Sequence, residues 1–215
     1  PPHRECGTGQ ERSICATTPL MQRPAPLHVS LVAIPDAVVS TLSGIFDVLG
    51  SFRMLGSLEP SLPADPPFVI EIVGEKRGSV TLASGIPVHA RRAASEVEQT
   101  DIIIVPSVLL EPGGWVTGRY PEIVDWARRK HADGALLCSA CSGIFLLAET
   151  GLFDGQDTTV HWGYAREFER AFPLVPLSPE RVLVVSGARE ELITSGASMT
   201  WHDLVLYLIA RHVGA

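Results

Sequence analysis

A cysteine followed twenty residues later by a histidine is the pair in this sequence best suited to chemistry. Cys141 stands between a short apolar run, 134–140, with the length of a buried strand, and residues 142–150, whose apolar side chains recur at helical spacing. A strand that turns abruptly into a helix lifts one side chain out of the sheet and directs the first N–H groups of the helix toward it. This pattern predicts a nucleophile elbow with Cys in place of Ser, and a thiol pKa below its ordinary value of about 8.5.

The histidine, His161, follows a second β-prone run, 158–160, which would return it to the same edge of the sheet as a base. Two other interpretations stay open for the cysteine. A Cys that ends a buried strand is often a small core residue, and Cys138 completes a Cys-x-x-Cys that could form a redox pair or half of a zinc site. A zinc site needs about four ligands, and no second Cys-x-x-Cys or His-x-x-x-His follows. We therefore predict no metal and no cofactor.

Residues 141–173, CSGIFLLAETGLFDGQDTTVHWGYAREFERAFP, resemble the ThiJ/PfpI branch of the class I glutamine amidotransferase-like superfamily. They look most like the version that forms the N-terminal sensor domain of AraC-type transcriptional regulators, and isonitrile hydratases are similar over the same stretch. The similarity extends more weakly over residues 27–214. Residues 193–214, ITSGASMTWHDLVLYLIARHVG, resemble the end of that sensor domain. The DNA-binding half of such a regulator is therefore expected to lie outside this chain.

The resemblance also implies roles for residues outside the elbow. The family carries an acidic residue in its first helix that points at the nucleophile, and Asp47 stands at the matching position. In many relatives a strand ends in Pro-Gly-Gly, whose amides can form an oxyanion hole. Here the proline is followed by Ser107 and Val108, whose amides would serve instead. Ser142, beside the nucleophile, and Ser195, in the loop Ser195-Gly196-Ala197 before the last helix, are the remaining pocket candidates.

Strands alternate with helices along the chain, which predicts an α/β fold. The expected architecture is a flavodoxin-like three-layer αβα sandwich with a mostly parallel sheet, and with the elbow at the carboxyl edge where ligands bind. The predicted strands are 27–35, 68–73, 79–82, 86–89, 101–105, 134–140, 182–185 and 192–194. The predicted helices are 38–55, 91–99, 121–131, 142–150, 162–172 and 198–212.

Composition limits the setting in which this domain works. Residues 1–26 are expected to be an irregular extension or a cloning remnant, and residues 27–215 one ThiJ/PfpI-like domain. A formal net charge of -7 argues against direct nucleic-acid binding by this domain, since phosphate contacts need clustered Lys and Arg. No apolar stretch approaches the roughly 18 residues of a membrane span. Four cysteines without a disulfide framework indicate a reducing, cytoplasmic setting, and the resemblance implies a homodimer.

Two functions from different classes follow. The first is the small-molecule-sensing domain of a transcription regulator, whose ligand would be nitrogenous or amide-like. The second is a stand-alone cysteine-dependent hydratase or hydrolase of the isonitrile hydratase or amide hydrolase type, in which Cys141 attacks, His161 shuttles protons and Asp47 orients the base or water. A third, weaker hypothesis is a redox or glyoxal-type thiol protein, because cysteines of low pKa oxidise readily.

Overall fold

Seven strands form the central sheet of the chain, in a computed structural model that describes residues 25–59 and 65–214. Together with a two-stranded hairpin, the described residues form nine strands, which are β1 Leu27–Val32, β2 Phe68–Gly74, β3 Gly78–Thr81, β4 Pro87–Ala90, β5 Arg92–Ala93, β6 Ile102–Val105, β7 Leu136–Ala140, β8 Leu183–Ser186 and β9 Leu192–Ser195. The order in the large sheet is β5-β2-β1-β6-β7-β9-β8, and every pairing is parallel except that of β8 with β9. Strands β3 and β4 form a separate antiparallel hairpin. The first 24 residues of the predicted extension, 1–26, lie outside the described residues.

Helices cover the sheet on both faces. They are α1 Val39–Gly50, α2 Phe52–Leu55, α3 Pro121–Ala132, α4 Ile144–Ala148, α5 Ala165–Ala171 and α6 Trp201–His212. Helices α1 and α6 pack on each other, and helices α3 and α4 form a second such pair. The mostly parallel α/β architecture confirms the predicted flavodoxin-like three-layer fold. None of the helices in the described ranges is long and apolar enough to cross a membrane.

The central strands explain where loops converge. All four residues of β6 are fully buried, as expected for a parallel strand covered on both faces. In the register of the sheet, Ile104 lies between Leu31 on β1 and Cys138 on β7, and Val105 pairs with Ser139. The carboxyl ends of these parallel strands therefore meet at one edge, and the loops that follow them begin side by side.

The predicted helix at 91–99 is wrong. Its residues form β5 and a short 3-10 turn, Ala94–Glu96. Arg92 forms an ion pair with Glu71 on β2, and the Glu96 carboxylate accepts a hydrogen bond of 2.9 Å from the backbone N–H of Ala93. These partners hold the segment in an extended course at the edge of the sheet, which its local sequence does not reveal.

Helices α1 and α6 meet where α1 has a glycine. A Cβ added to Gly44 would lie 2.4 Å from Cη2 and 2.7 Å from Cζ2 of Trp201, in the first turn of α6. The indole therefore lies directly on the backbone of α1. Any larger residue at position 44 has to displace the ring or separate the two helices.

We expect Gly44→Ala to lower the free energy of unfolding by about 1–3 kcal/mol, the range seen for overpacked cores. Gly50→Ala is the matched control on the same helix, because its new Cβ would meet only Cγ2 of Ile70, at 3.9 Å. Alanine also has the higher helix propensity, so the control should be neutral or slightly stabilising. Urea unfolding followed by circular dichroism measures both. Equal stability of the two variants would contradict the close packing of α6 on α1 at Gly44.

Candidate functional site

Cys141 occupies a strained turn between a strand and a helix. Strand β7 ends at Ala140, a 3-10 turn covers Cys141–Gly143, and α4 follows directly. The φ angle of Cys141 is 54°, in the left-handed region that side-chain-bearing residues rarely adopt. The sharp turn from strand to helix that the sequence predicts is therefore confirmed.

Close packing explains the glycine in this turn. A Cβ at Gly143 would lie 2.5 Å from the carbonyl oxygens of both Val105 and Pro106, at the end of β6. These are backbone atoms, so they cannot move aside as a flexible side chain would. Glycine at this position lets the elbow lie against the neighbouring strand.

A cavity of about 570 Å³ opens at the carboxyl edge of the sheet, beside the elbow. Its volume is within the range typical of small-molecule sites. Five segments supply its walls: the start of α1, the loop after β6, the elbow, the segment after residue 160 and the loop that enters α6. The lining residues are Val38, Ser40, Thr41, Ser107, Val108, Leu109, Cys141, Ser142, His161, Gly163, Tyr164, Ser198, Met199 and Trp201.

The cavity brings together most of the predicted site residues, namely Cys141, His161, Ser107, Val108 and Ser142. Their chemical roles stay predictions, whereas their convergence is a feature of the structure.

Ser195 lies outside the cavity lining, contrary to its predicted place in the pocket. Strand β9 runs one residue further than the sequence predicts, so Ser195 pairs with Ala140 inside the sheet. Its side chain is fully buried, and its hydroxyl donates a hydrogen bond of 3.3 Å to the carbonyl oxygen of Ser139.

Asp47 does not reach the thiol either. Its side chain is exposed and lines a separate depression that also contains Arg53 and Arg91. Helix α1 reaches the cavity through Thr41 instead, whose hydroxyl donates a hydrogen bond of 3.0 Å to the Ser107 hydroxyl. At 3.6 residues per turn, a separation of six residues rotates a side chain by about 120° around the helix axis. Thr41 and Asp47 therefore cannot share a face, and the structure does not support the role expected for Asp47.

Burial raises the pKa of the Cys141 thiol, because desolvation disfavours the thiolate. Hydrogen bonds with Ser142 and with the Ser107 hydroxyl act in the opposite direction but do not cancel it. The expectation of a lowered pKa was based on the helix that follows the elbow. That helix, α4, has only five residues, so its dipole offers little to offset burial. The predicted activation of the thiol is wrong for this structure.

His161 lines the cavity but forms no hydrogen bond with Cys141 among the described residues. Its Nδ1 accepts a hydrogen bond of 3.0 Å from the backbone N–H of Gly163. The ring also stacks on Trp162, with 5.1 Å between ring centroids. When Nδ1 is an acceptor, the neutral imidazole carries its proton on Nε2. His161 is therefore arranged as a hydrogen-bond donor, and not as a base for the thiol.

The β-prone run that precedes His161 does not form a regular strand. Residues 158–160 form a single bridge, between Thr158 and Leu177. The backbone N–H of Thr159 donates to the hydroxyl of Thr194 on β9 at 2.9 Å, and the Thr159 hydroxyl donates to the carbonyl oxygen of Arg181 at 2.8 Å. Side chains therefore replace a regular ladder in holding this run beside β9.

The amide of Val108 is already committed within the protein. Its N–H donates to the Ser142 hydroxyl oxygen at 2.9 Å, and the same hydroxyl donates back to the carbonyl oxygen of Val108 at 2.6 Å. Val108 therefore cannot provide an oxyanion-hole N–H without breaking this pair, and that prediction is wrong. The pair instead fastens the loop after β6 to the elbow.

Two acidic residues that the sequence analysis missed hold the rest of this loop. Asp36 pairs with Arg119 at 2.8 Å and accepts a hydrogen bond of 2.9 Å from the Tyr120 hydroxyl. Glu149 accepts hydrogen bonds from the indole N–H of Trp115 at 2.7 Å and from the backbone N–H of Gly118 at 2.8 Å. Their partners lie far away in sequence, so no local spacing marks these carboxylates as anchors.

A parallel α/β sheet with a cysteine elbow at its carboxyl edge defines a flavodoxin-like domain built around a thiol cavity. Residues 66–210 match the DJ-1/PfpI family, and the chain belongs to that family.

Relatives of two kinds are similar to this chain. The HTH-type transcriptional regulator CdhR of Pseudomonas aeruginosa is 31% identical over 137 residues, which are 64% of this chain and 38% of that protein. The isonitrile hydratase of Pseudomonas putida is 25% identical over 191 residues, covering 87% of this chain and 73% of the enzyme. The chain thus spans well under two thirds of the regulator's length.

Solved structures show the same fold. An AraC family transcriptional regulator from Pseudomonas putida superposes with a TM-score of 0.71 at 19% identity, covering 88% of this chain and 94% of the other. Drosophila melanogaster DJ-1beta superposes with a TM-score of 0.66 at 15% identity, covering 88% and 92% of the two chains.

The raised pKa of Cys141 predicts slow alkylation, because only the thiolate reacts and less of it forms at a given pH. In a chain with Cys6 and Cys15 replaced by serine, iodoacetamide should alkylate the Cys141 thiol more slowly than it alkylates the thiol of free glutathione at neutral pH. The rate should still be rising above about pH 8.5, the ordinary thiol value. Cys141→Ala should abolish the reaction, since Cys138 is fully buried.

Ser107→Ala should move the midpoint of this pH profile further upward, because the Ser107 hydroxyl favours the thiolate. A midpoint below about pH 7 in the parent chain would show an activated nucleophile and contradict the structure.

Proposed function

We propose that this chain is the small-molecule-sensing domain of an AraC-type transcriptional regulator. The observation that carries the proposal is a formed cavity whose cysteine is buried, with a raised pKa, and has no hydrogen bond to the neighbouring histidine among the described residues. Such a cavity is built to bind and is not prepared for nucleophilic attack. Similarity to the regulator CdhR supports the same function.

In this proposal a small nitrogenous or amide-like ligand enters the cavity and touches the first turns of two long helices. Ser40 and Thr41 belong to α1, and Trp201 belongs to α6. Because α1 and α6 pack on each other, a ligand that draws their first turns together or apart changes the geometry of the pair. That change would alter a dimer interface or the attachment of a DNA-binding domain elsewhere in the regulator.

In this proposal the domain described here binds the ligand, and another part of the regulator binds DNA. Clustered positive charge is what phosphate binding requires, and the formal charge of this chain is -7. DNA contact would therefore belong to a separate helix-turn-helix domain. We place the protein in the cytoplasm, where such regulators meet DNA, and propose that it acts as a homodimer.

A second candidate function is an isonitrile hydratase, which adds water to an isonitrile (R–NC) and gives the N-substituted formamide (R–NH–CHO). It is favoured by the long alignment with the Pseudomonas putida enzyme and by the presence of Cys141 and His161 in one cavity. Against it stand the raised pKa of the thiol and the donor role of His161. Catalysis would require both groups to change state.

Turnover separates the two functions. The purified chain and Cys141→Ala should convert an alkyl isonitrile to its formamide at the same background rate, measured by proton NMR, because the resting thiol is neutral. Cys138→Ala is a matched control that removes a buried thiol outside the cavity lining. Formamide production that persists in Cys138→Ala and disappears in Cys141→Ala would replace the sensor with the enzyme.

The regulator itself is tested by the native gene. Translation of the native gene past the codon for Ala215 should reveal a basic pair of helix-turn-helix motifs, in keeping with the length of the regulator that this chain matches. A stop codon directly after that position would contradict the proposed architecture.

A further inference from the structure

We infer that the cavity selects an uncharged ligand, with a carbonyl-type acceptor at one end and a short apolar body, and rejects carboxylates and ammonium groups of the same shape. The inference rests on the proposed function, that this cavity binds a small molecule, and adds the chemical class of that molecule.

Within residues 25–59 and 65–214, the lining offers no permanently charged counter-ion. None of the described residues that line the cavity is Asp, Glu, Lys or Arg. Of the charged groups that hold the adjoining loop, Asp36 is paired with Arg119, and the Glu149 carboxylate already accepts hydrogen bonds from Trp115 and Gly118. A buried charge is costly unless it is paired and hydrogen-bonded. A carboxylate or an ammonium group would therefore lose its hydration on entry without gaining a partner of opposite charge.

The thiol reports the same environment. Burial raises the pKa of Cys141, so this part of the cavity already disfavours a negative charge on the protein. Desolvation would act in the same direction on a carboxylate placed beside the sulfur.

The available donors suit a neutral oxygen. His161 carries its proton on Nε2, because Nδ1 accepts from Gly163. Helix α1 begins beside the cavity. The first N–H groups of any helix lack helical partners, and no side chain caps this helix. A helix N-terminus attracts anions, but a carbonyl oxygen accepts the same hydrogen bonds without the cost of burying a full charge.

The aromatic residues are not arranged as a cage for a cation. The Trp201 indole stacks on His202, with 3.6 Å between centroids, and its edge lies on Gly44. The Tyr164 ring stands edge to face with Phe145, at 6.4 Å. Cation binding requires open ring faces, and these rings are partly committed to protein neighbours. With Leu109 and Met199, they instead provide a wall for an apolar chain.

Butanamide, butanoate and butylammonium test the inference, because they share an alkyl chain and differ in charge. Each is titrated at neutral pH and constant ionic strength into the nitrogen-15-labelled chain, and the indole N–H signal of Trp201 is followed. Longer amides, acids and amines of the same series extend the comparison toward the size of the cavity. We expect the amides to bind at least about tenfold more tightly than either charged partner.

Two lysine variants on one helix test whether the missing counter-ion decides the selection. Ser40 is exposed and lines the cavity, whereas Ser43 is exposed on the same helix and does not line it. Ser40→Lys should improve butanoate binding at least about tenfold, because it supplies a charge-assisted partner. Ser43→Lys has the same charge and should leave the amide preference of the parent chain unchanged.

The outcomes separate this inference from the proposed function. If butanoate or butylammonium binds the parent chain as tightly as butanamide, the inference is wrong and the cavity is still a ligand site. If Ser43→Lys improves butanoate binding as much as Ser40→Lys does, the net charge of the chain decides binding and the inference is also wrong. If no member of any series perturbs the Trp201 signal of a folded chain, the inference and the proposed sensor function fail together.

Discussion

The contact between the elbow and the end of β6 is the constraint on which the site depends. Gly143 lies so close to the carbonyl oxygens of Val105 and Pro106 that a single methyl group would collide with both. This contact fixes how far the elbow can rise from the sheet, and hence where the thiol faces. The reciprocal hydrogen bonds between Ser142 and Val108 then attach the loop after β6 to the same turn. Two walls of the cavity are thus positioned by one backbone contact and one hydroxyl.

The same packing that forms the cavity also disfavours the thiolate form of Cys141. Closing the loop over the elbow removes water from Cys141, and desolvation raises its pKa more than the surrounding hydroxyls lower it. An enzyme of this design would need a stronger stabiliser of the thiolate, such as a nearby cation or a long helix directed at the sulfur. This chain places a five-residue helix there, and an imidazole whose acceptor nitrogen is already occupied. A thiol that is enclosed but not activated suits a site that binds a ligand better than a site that turns over a substrate.

Much of the fold could be predicted because its signals are local. A few adjacent residues are enough to predict the buried strand β6 and the sharp turn at Cys141. The β-prone segment before His161 is likewise enough to predict that this residue comes to the same edge of the sheet. The predictions for residues 91–99 and for the Val108 amide were wrong because both features depend on partners that are distant in sequence. Arg92 is held extended by Glu71 on another strand, and the Val108 amide is occupied by a hydroxyl 34 residues away. The position of Asp47 failed for a geometric reason, since a match in sequence does not determine which face of α1 turns toward the cavity.

In the proposed sensor, the packing of α1 against α6 would connect ligand binding to a response. Trp201 lies on Gly44 and also forms part of the cavity wall, so a ligand that moves the indole must move it against the backbone of α1. Close-packed interfaces of this kind do not deform smoothly, because each side chain fills the space left by its neighbour. In the proposed sensor, a small displacement at the cavity would therefore be passed on as a relative shift of two helices. Helix α6 extends from the cavity for 12 residues to His212, so it would carry that shift away from the elbow.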